Sequence, residues 1–147
     1  MNVGDVCSRA VVTVKPGDAL AEAARELVKH QVGALVVVDP REPERPVGIL
    51  TDRDVVRGQL ARKADLFCLT VGDVMTPRPF TIHRSASLSE AIEFLNEHGV
   101  RRAPVVNHLG ELLGIVTLDD LLPALSAEID ALAKLLGTQA RKEQPAV

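Results

Sequence analysis

Two segments of this chain place a threonine at the end of an apolar run and an aspartate three residues later. They are Gly48-Ile49-Leu50-Thr51-Asp52-Arg53-Asp54 and Gly114-Ile115-Val116-Thr117-Leu118-Asp119-Asp120. A hydroxyl offers a donor and two acceptor sites, whereas an ionised carboxylate only accepts. Where a strand runs into a helix, this spacing is that of an N-cap threonine with an acidic residue in the first turn, which the helix dipole favours. Asp52, Asp54, Asp119 and Asp120 are also of the type that forms carboxylate pairs or holds Mg²⁺ in an enzyme. Against a Mg²⁺-dependent enzyme, there is no nucleophile elbow, Walker loop, Gly-x-Gly-x-x-Gly or metal-ligand cluster beside them. No catalytic residue and no metal site are therefore expected. His30 and His98 are read as cations at helix C-termini, and Cys7 and Cys68 as small half-buried hydrophobes.

Composition narrows the partners. Of the 147 residues, 46% are hydrophobic and 25% charged, the balance of a folded soluble protein, while aromatics reach only 2%. The core has to be built from Val, Leu, Ile and Ala, and stacking platforms for single-stranded nucleic acid are scarce. A formal net charge of -3 argues equally against a general binder of phosphate backbones, so no nucleic-acid partner is expected. No apolar run is long enough to span a bilayer and no basic-then-apolar leader opens the chain. A cytoplasmic protein without membrane contact is the simplest expectation.

The elements that must hold these residues occur twice. Val3-Gly4-Asp5-Val6 recurs as Val71-Gly72-Asp73-Val74, and the same shift carries Leu20 to Leu88, Leu27 to Leu95, His30 to His98 and Val37-Val38 to Val105-Val106. The register slips only in a turn, where Pro40 to Pro46 is longer than Asn107 to Glu111, as loops tolerate. Each copy reads as strand, helix, two strands and a second helix. The first strand is expected at Val11 to Val14 and Phe80 to Ile82. In the first helix Leu20, Ala23, Ala24, Leu27 and Val28 fall on one face in one copy, and Leu88, Ala91, Ile92 and Leu95 in the other. Ser87-Leu88-Ser89-Glu90 reads as a capping box. The paired strands are Ala34 to Val38 with Val47 to Leu50, and Ala103 to Val106 with Leu112 to Val116; second helices start near Asp52 and Leu118. One unit alone buries too little surface to be stable, so two are expected to pack sheet against sheet around one shared core. The boundaries are residues 1–61 and 71–126 for the repeats, with 62–70 as the connection. A separate C-terminal helix is expected at 127–137, apolar at Ile129, Leu132, Leu135 and Leu136 and stopping at Gly137, followed by a polar tail at 138–147.

This arrangement resembles the cystathionine β-synthase (CBS) domain family, and in particular the small stand-alone bacterial CBS-pair proteins. The resemblance rests on the duplicated layout, the two Thr/Asp segments, Val-Arg-Arg-Ala-Pro-Val-Val at Val100 to Val106, Val-Gly-Asp-Val-Met-Thr at Val71 to Thr76, and Val-Gly-Ala-Leu-Val-Val-Val-Asp at Val32 to Asp39. It implies an α/β (α+β) fold in which tandem βαββα repeats pack with pseudo-two-fold symmetry. It also implies a regulatory module that binds an adenine nucleotide of AMP, ADP or ATP type between its repeats, with no obligatory cofactor. The Thr and Asp of each segment would then hold ribose hydroxyls. Carried over by position, one site combines Thr51, Arg53 and Asp54 with Thr76, Phe80, Val100, Arg101 and Arg102. The other combines Thr117, Asp119 and Asp120 with Val12, Val32, Gly33 and Ala34.

The two sites are expected to differ in charge. Arg53, Arg101 and Arg102 are suited to phosphate oxygens, whereas the second site has Asp119 in place of Arg53 and Gly33-Ala34 in place of Arg101-Arg102. An anionic ligand should prefer the Thr51/Asp54 site. The alternative for Arg101 and Arg102 is a solvated pair, or partners of nearby carboxylates. A ligand-independent dimerisation module is the rival reading of the whole chain. Either way the resemblance implies a homodimer, and regulation requires a further, unidentified protein whose affinity depends on ligand occupancy.

Overall fold

The computed structural model describes residues 1–63, 65–77 and 80–143, and the side chains of the last helix up to residue 139. The chain opens with a one-turn helix, α1 (Val3–Val6), then β1 (Thr13–Val14), α2 (Leu20–His30), β2 (Ala34–Val38), β3 (Pro46–Thr51) and α3 (Asp52–Arg62). The order then repeats: α4 (Val71–Val74), β4 (Thr76–Pro77), β5 (Ile82–His83), α5 (Leu88–His98), β6 (Arg102–Val106), β7 (Leu112–Thr117) and α6 (Leu118–Glu143). The corresponding central strands, β2 with β6 and β3 with β7, share the same burial pattern and the same bulge, after Val37 and after Val105. β2 and β6 are buried on both faces over most of their length, whereas β3 and β7 alternate buried and half-buried positions.

Burial is divided between the repeats rather than pooled in one shared core. Leu20, Ala23, Leu27, Leu35, Val37, Leu50 and Val55 close one cluster, and Leu88, Ala91, Leu95, Ala103, Val105, Val116 and Leu121 the other. Val36 and Pro104 are fully buried yet belong to neither cluster. Strand alternation turns them to the face of their sheet opposite those clusters.

The opening turn of each repeat is exchanged. Val3 of α1 lies in the second repeat's core, and Val71 of α4 in the first's. The exchange is held by matching backbone bonds. Val3 and Gly4 donate to Ala86 and Arg84 at 2.9 and 2.8 Å, and Val71 and Gly72 donate to Asp18 and Pro16 at 2.9 and 2.8 Å. Burying one valine fully contributes about 1.5–3 kcal/mol, so each repeat is tied to the other by more than surface contact. Beyond these turns the exchanged segments join the edge of the opposite sheet. Thr76 pairs with Ile49 on β3, giving the order β1-β2-β3-β4, and Ser8 bridges Ile115 on β7.

Three expectations are corrected. The first strands are shorter than Val11 to Val14 and Phe80 to Ile82, because the parallel ladders are only Thr13↔Val36, Val14↔Val37 and Ile82↔Val105, His83↔Val106. Val12 and Phe80 precede the strands. The helix after β7 and the expected C-terminal helix are one continuous α6, which runs through Pro123 and past Gly137. Its Leu, Ala, Glu and Lys residues are strong helix formers and outweigh one internal Gly, which costs only about 1 kcal/mol. The expected tail is thus helical to Glu143, and residues 144–147 lie outside the described residues. Finally, Ser87 Oγ accepts from the Glu90 N–H at 3.1 Å, which is half of the expected capping box. Full boxes occur instead at Asn2/Asp5 and Thr51/Asp54.

Candidate nucleotide site

Each Thr/Asp pair sits where an outer strand hands over to a helix. Asp54 donates its N–H to Thr51 Oγ1 at 3.0 Å, and Asp54 Oδ2 accepts the Thr51 N–H at 3.0 Å. The cap is therefore real, yet it does not use up the pair. Thr51 keeps its hydroxyl proton, and Asp54 Oδ1 accepts no hydrogen bond among the described residues. In the second copy Asp120 Oδ2 accepts both the Thr117 N–H at 2.9 Å and the Thr117 hydroxyl at 3.1 Å. Here the threonine is a donor to its aspartate, and Asp120 Oδ1 again takes no partner among the described residues.

Both pairs open into cavities between the repeats. One, of about 580 Å³, is lined by Thr51, Arg53 and Asp54 of the first repeat and by Thr76, Phe80, Val100, Arg101 and Arg102 of the second. The other, of about 430 Å³, is lined by Thr117, Asp119 and Asp120 together with Val12, Val32, Gly33 and Ala34. Both volumes fall within the range of small-molecule sites, about 300–1,000 Å³. Every residue assigned by position to a site lies on the wall of the matching cavity.

The exchange of edges explains why each cavity draws on both repeats. Thr76 reaches the first because β4 is paired to β3, and Ser8 reaches the second because it bridges Ile115. Ser8 was not singled out in the sequence, although the repeat shift that carries Val3 to Val71 also carries Ser8 to Thr76. Ile49, Ile115 and Pro104 supply apolar wall and read in the sequence only as core. Phe80 is half exposed and held by His98, with ring centroids 4.0 Å apart. His98 also lies 4.3 Å from the Phe94 ring and donates from Nδ1 to the Phe94 carbonyl at 2.9 Å. His98 thus props a cavity wall as well as ending a helix. His30 instead pairs with Glu26 at 2.9 Å.

Arg101 and Arg102 line both cavities, not one. The expected charge difference therefore narrows to Asp52 and Arg53 on one wall against Leu118 and Asp119 on the other, with Asp52 offsetting part of the charge of Arg53. The ion pairs among the described residues are Arg25–Glu22, His30–Glu26 and Arg45–Glu42, so Arg53, Arg101 and Arg102 are not neutralised by carboxylates there. A guanidinium without a carboxylate at a cavity wall is suited to phosphate. Among the described residues no group of three or more His, Cys, Asp or Glu is placed to hold a metal ion, and no helix is long and apolar enough to cross a membrane.

The cysteines differ from each other. Cys7 is half-buried and burial pushes its thiol up; Cys68 is exposed, contrary to expectation, and is pushed up chiefly by a hydrogen bond with Asp65. A raised thiol is a poor nucleophile at neutral pH, so neither adds chemistry to the cavities.

Two interlocked repeats with Thr/Asp-lined clefts define a CBS pair. Residues 3–61 and 71–127 each match the CBS domain model, and the chain belongs to that family. An uncharacterized protein of Methanopyrus kandleri is 32% identical over 133 residues, covering 88% of this chain and 67% of its own. A CBS domain protein of Pyrobaculum aerophilum, solved as a complex with AMP, has a TM-score of 0.78 and 28% identity, covering 89% of this chain and 99% of that one. CBSX2 of Arabidopsis thaliana, also solved with AMP, has a TM-score of 0.74 and 31% identity over 88% of this chain and 98% of that one.

Proposed function

We propose that this protein is a regulatory sensor that binds an adenine nucleotide of AMP, ADP or ATP type in the clefts between its CBS repeats, and that it acts without catalysis. The observation that carries the reading is the pairing, in one cavity of about 580 Å³, of a Thr51/Asp54 edge with Arg53, Arg101 and Arg102. Asp54 Oδ1 and the Thr51 hydroxyl are suited to ribose hydroxyls, and the guanidinium groups to phosphate. The AMP complexes of two similar CBS proteins support the same ligand class. Regulation follows if occupancy alters how the repeats or subunits sit, and if an unidentified partner protein binds the two arrangements with different affinity. A cytoplasmic location belongs to this reading, supported by two unpaired cysteines, the usual state of thiols in a reducing compartment.

Calorimetric titration with AMP, ADP and ATP tests the proposal. Saturable binding of at least one is expected, with stabilisation of about 2.7 kcal/mol at a ligand concentration one hundred times Kd. Absence of heat with all three would leave the dimerisation module as the function. One observation favours dimerisation in its own right. On α6, Leu118, Leu122, Leu125, Ile129, Leu132 and Leu136 alternate spacings of four and three, and Ile129, Leu132 and Leu136 are 65, 60 and 62% exposed. That is the seam of a coiled coil, and a homodimer joined along it is compatible with nucleotide binding.

A further inference from the structure

Arg101 and Arg102 are the two residues, among those described, that line both cavities. Their counterparts in the first repeat, Gly33 and Ala34, line only the Thr117/Asp120 cavity. The reason is geometric. Arg102 Nη1 lies 2.8 Å from the point where a Cβ on Gly33 would stand. Segments related by a two-fold axis touch each other only beside that axis, and the Arg101-Arg102 and Gly33-Ala34 segments are so related. A long side chain rooted there reaches the clefts on both sides, whereas Gly33 and Ala34 have nothing to extend. Arg102 is also the cross-strand partner of Thr117, so it stands beside one Thr/Asp pair while its repeat walls the cavity of the other.

We propose that the Arg101-Arg102 pair couples the two cavities negatively, so that the chain takes up phosphate-bearing nucleotides one at a time. This rests on the nucleotide reading above. A phosphate in one cleft draws the shared guanidinium groups to itself. The other cleft then loses its charge-assisted donors and faces added negative charge from the first ligand, with two aspartates already on the wall of each: Asp52 and Asp54 in one, Asp119 and Asp120 in the other. The coupling is reciprocal, and couplings of this kind are typically 5–150-fold in affinity. Intrinsic inequality of the clefts, from Asp52 and Arg53 against Leu118 and Asp119, is a separate effect and persists without the arginine pair.

The test compares one cavity in two states by calorimetry with AMP. In the wild-type chain the second AMP binds with the first cavity filled. In Asp54→Ala, and in Thr76→Trp, which fills the same cavity without touching the helix cap, the Thr117/Asp120 cavity binds with its neighbour empty of phosphate. Affinity in the blocked variants is expected to exceed that of the second wild-type event by about tenfold. Adenosine, which lacks phosphate, is expected to show no such difference. In a chain carrying Arg101→Met and Arg102→Met, AMP should bind more weakly and most of the difference should be lost, leaving only the repulsion between the two ligands. Equal AMP affinities with the first cavity blocked or filled would overturn the coupling and leave nucleotide binding intact. The same dependence for adenosine as for AMP would overturn it too. Failure of the wild-type chain to bind AMP at all would remove the nucleotide reading and the coupling with it.

Discussion

Thr51 and Asp54 hold each other in a reciprocal cap, and that cap sets the position from which a ligand would meet them. Removing the carboxylate should therefore have two separable effects. Asp54→Ala is expected to lower stability by about 1 kcal/mol through loss of the cap, read from the urea midpoint. It should also abolish AMP uptake in its own cavity, read by calorimetry. Asp120→Ala should weaken the other cavity with a smaller stability loss, since Thr117 donates to Asp120 and no bond from the Asp120 N–H to Thr117 closes that cap. Asp73 contributes one pH-dependent element of stability. The N–H of Thr70, 2.9 Å from Asp73 Oδ2, holds this carboxyl below its ordinary value of 3.8. A depressed carboxylate stabilises the fold above its unfolded pKa and stops doing so as pH falls through the folded one. Asp73→Asn should thus be less stable than wild type at neutral pH, and the gap should close as urea melts are taken below pH 3.8. The Thr/Asp spacing was legible as a cap from the chain alone. Whether each hydroxyl donates or accepts was not, because that depends on backbone placement to a few tenths of an ångström.

The helices and strands obey local rules closely enough that single changes have calculable consequences. Both α2 and α5 end on a left-handed residue, Gly99 with φ 62° in one copy and Gln31 with φ 53° in the other. A residue with a Cβ is strained there, so Gln31→Gly should raise stability by about 0.5–1 kcal/mol in chemical denaturation. Gly114 has the opposite role. A Cβ on it would strike the Ser8 carbonyl and stand 3.0 Å from Cys7 Sγ. Gly114→Val should cost about 1–3 kcal/mol and weaken ligand uptake in the Thr117/Asp120 cavity, because the displaced segment carries Ser8. Periodicity located α2, α5 and the central strands nearly to the residue. It failed on the two-residue strands, since their length follows from pairing with β2 and β6 rather than from their own residues. It also split α6 in two, since breakers are visible in sequence while the sum of many modest propensities is not.

For the molecule as one body, the exchange of α1 and α4 makes the repeats interdependent. The protein should unfold in a single transition, with circular dichroism and calorimetry reporting the same midpoint; two separated transitions would contradict the interlock. If the proposed homodimer forms along α6, Ile129→Asp with Leu132→Asp should convert it to monomers in native mass spectrometry while AMP still binds, because among the described residues α6 beyond Leu125 takes no part in either cavity. The duplication, the order of elements and the Thr/Asp edges follow from residue types and spacing, whereas the grouping of residues around each cavity came from the resemblance to the CBS family. Repeats leave the same physical constraints twice, and agreement between two copies separates signal from chance. Three features lay beyond that reasoning: the crossing of each opening turn into the other repeat's core, the division of burial into two clusters, and the reach of Arg101 and Arg102 into both clefts. Each depends on where the pseudo-two-fold axis falls, and an axis is a relation between surfaces distant in sequence that local periodicity does not encode.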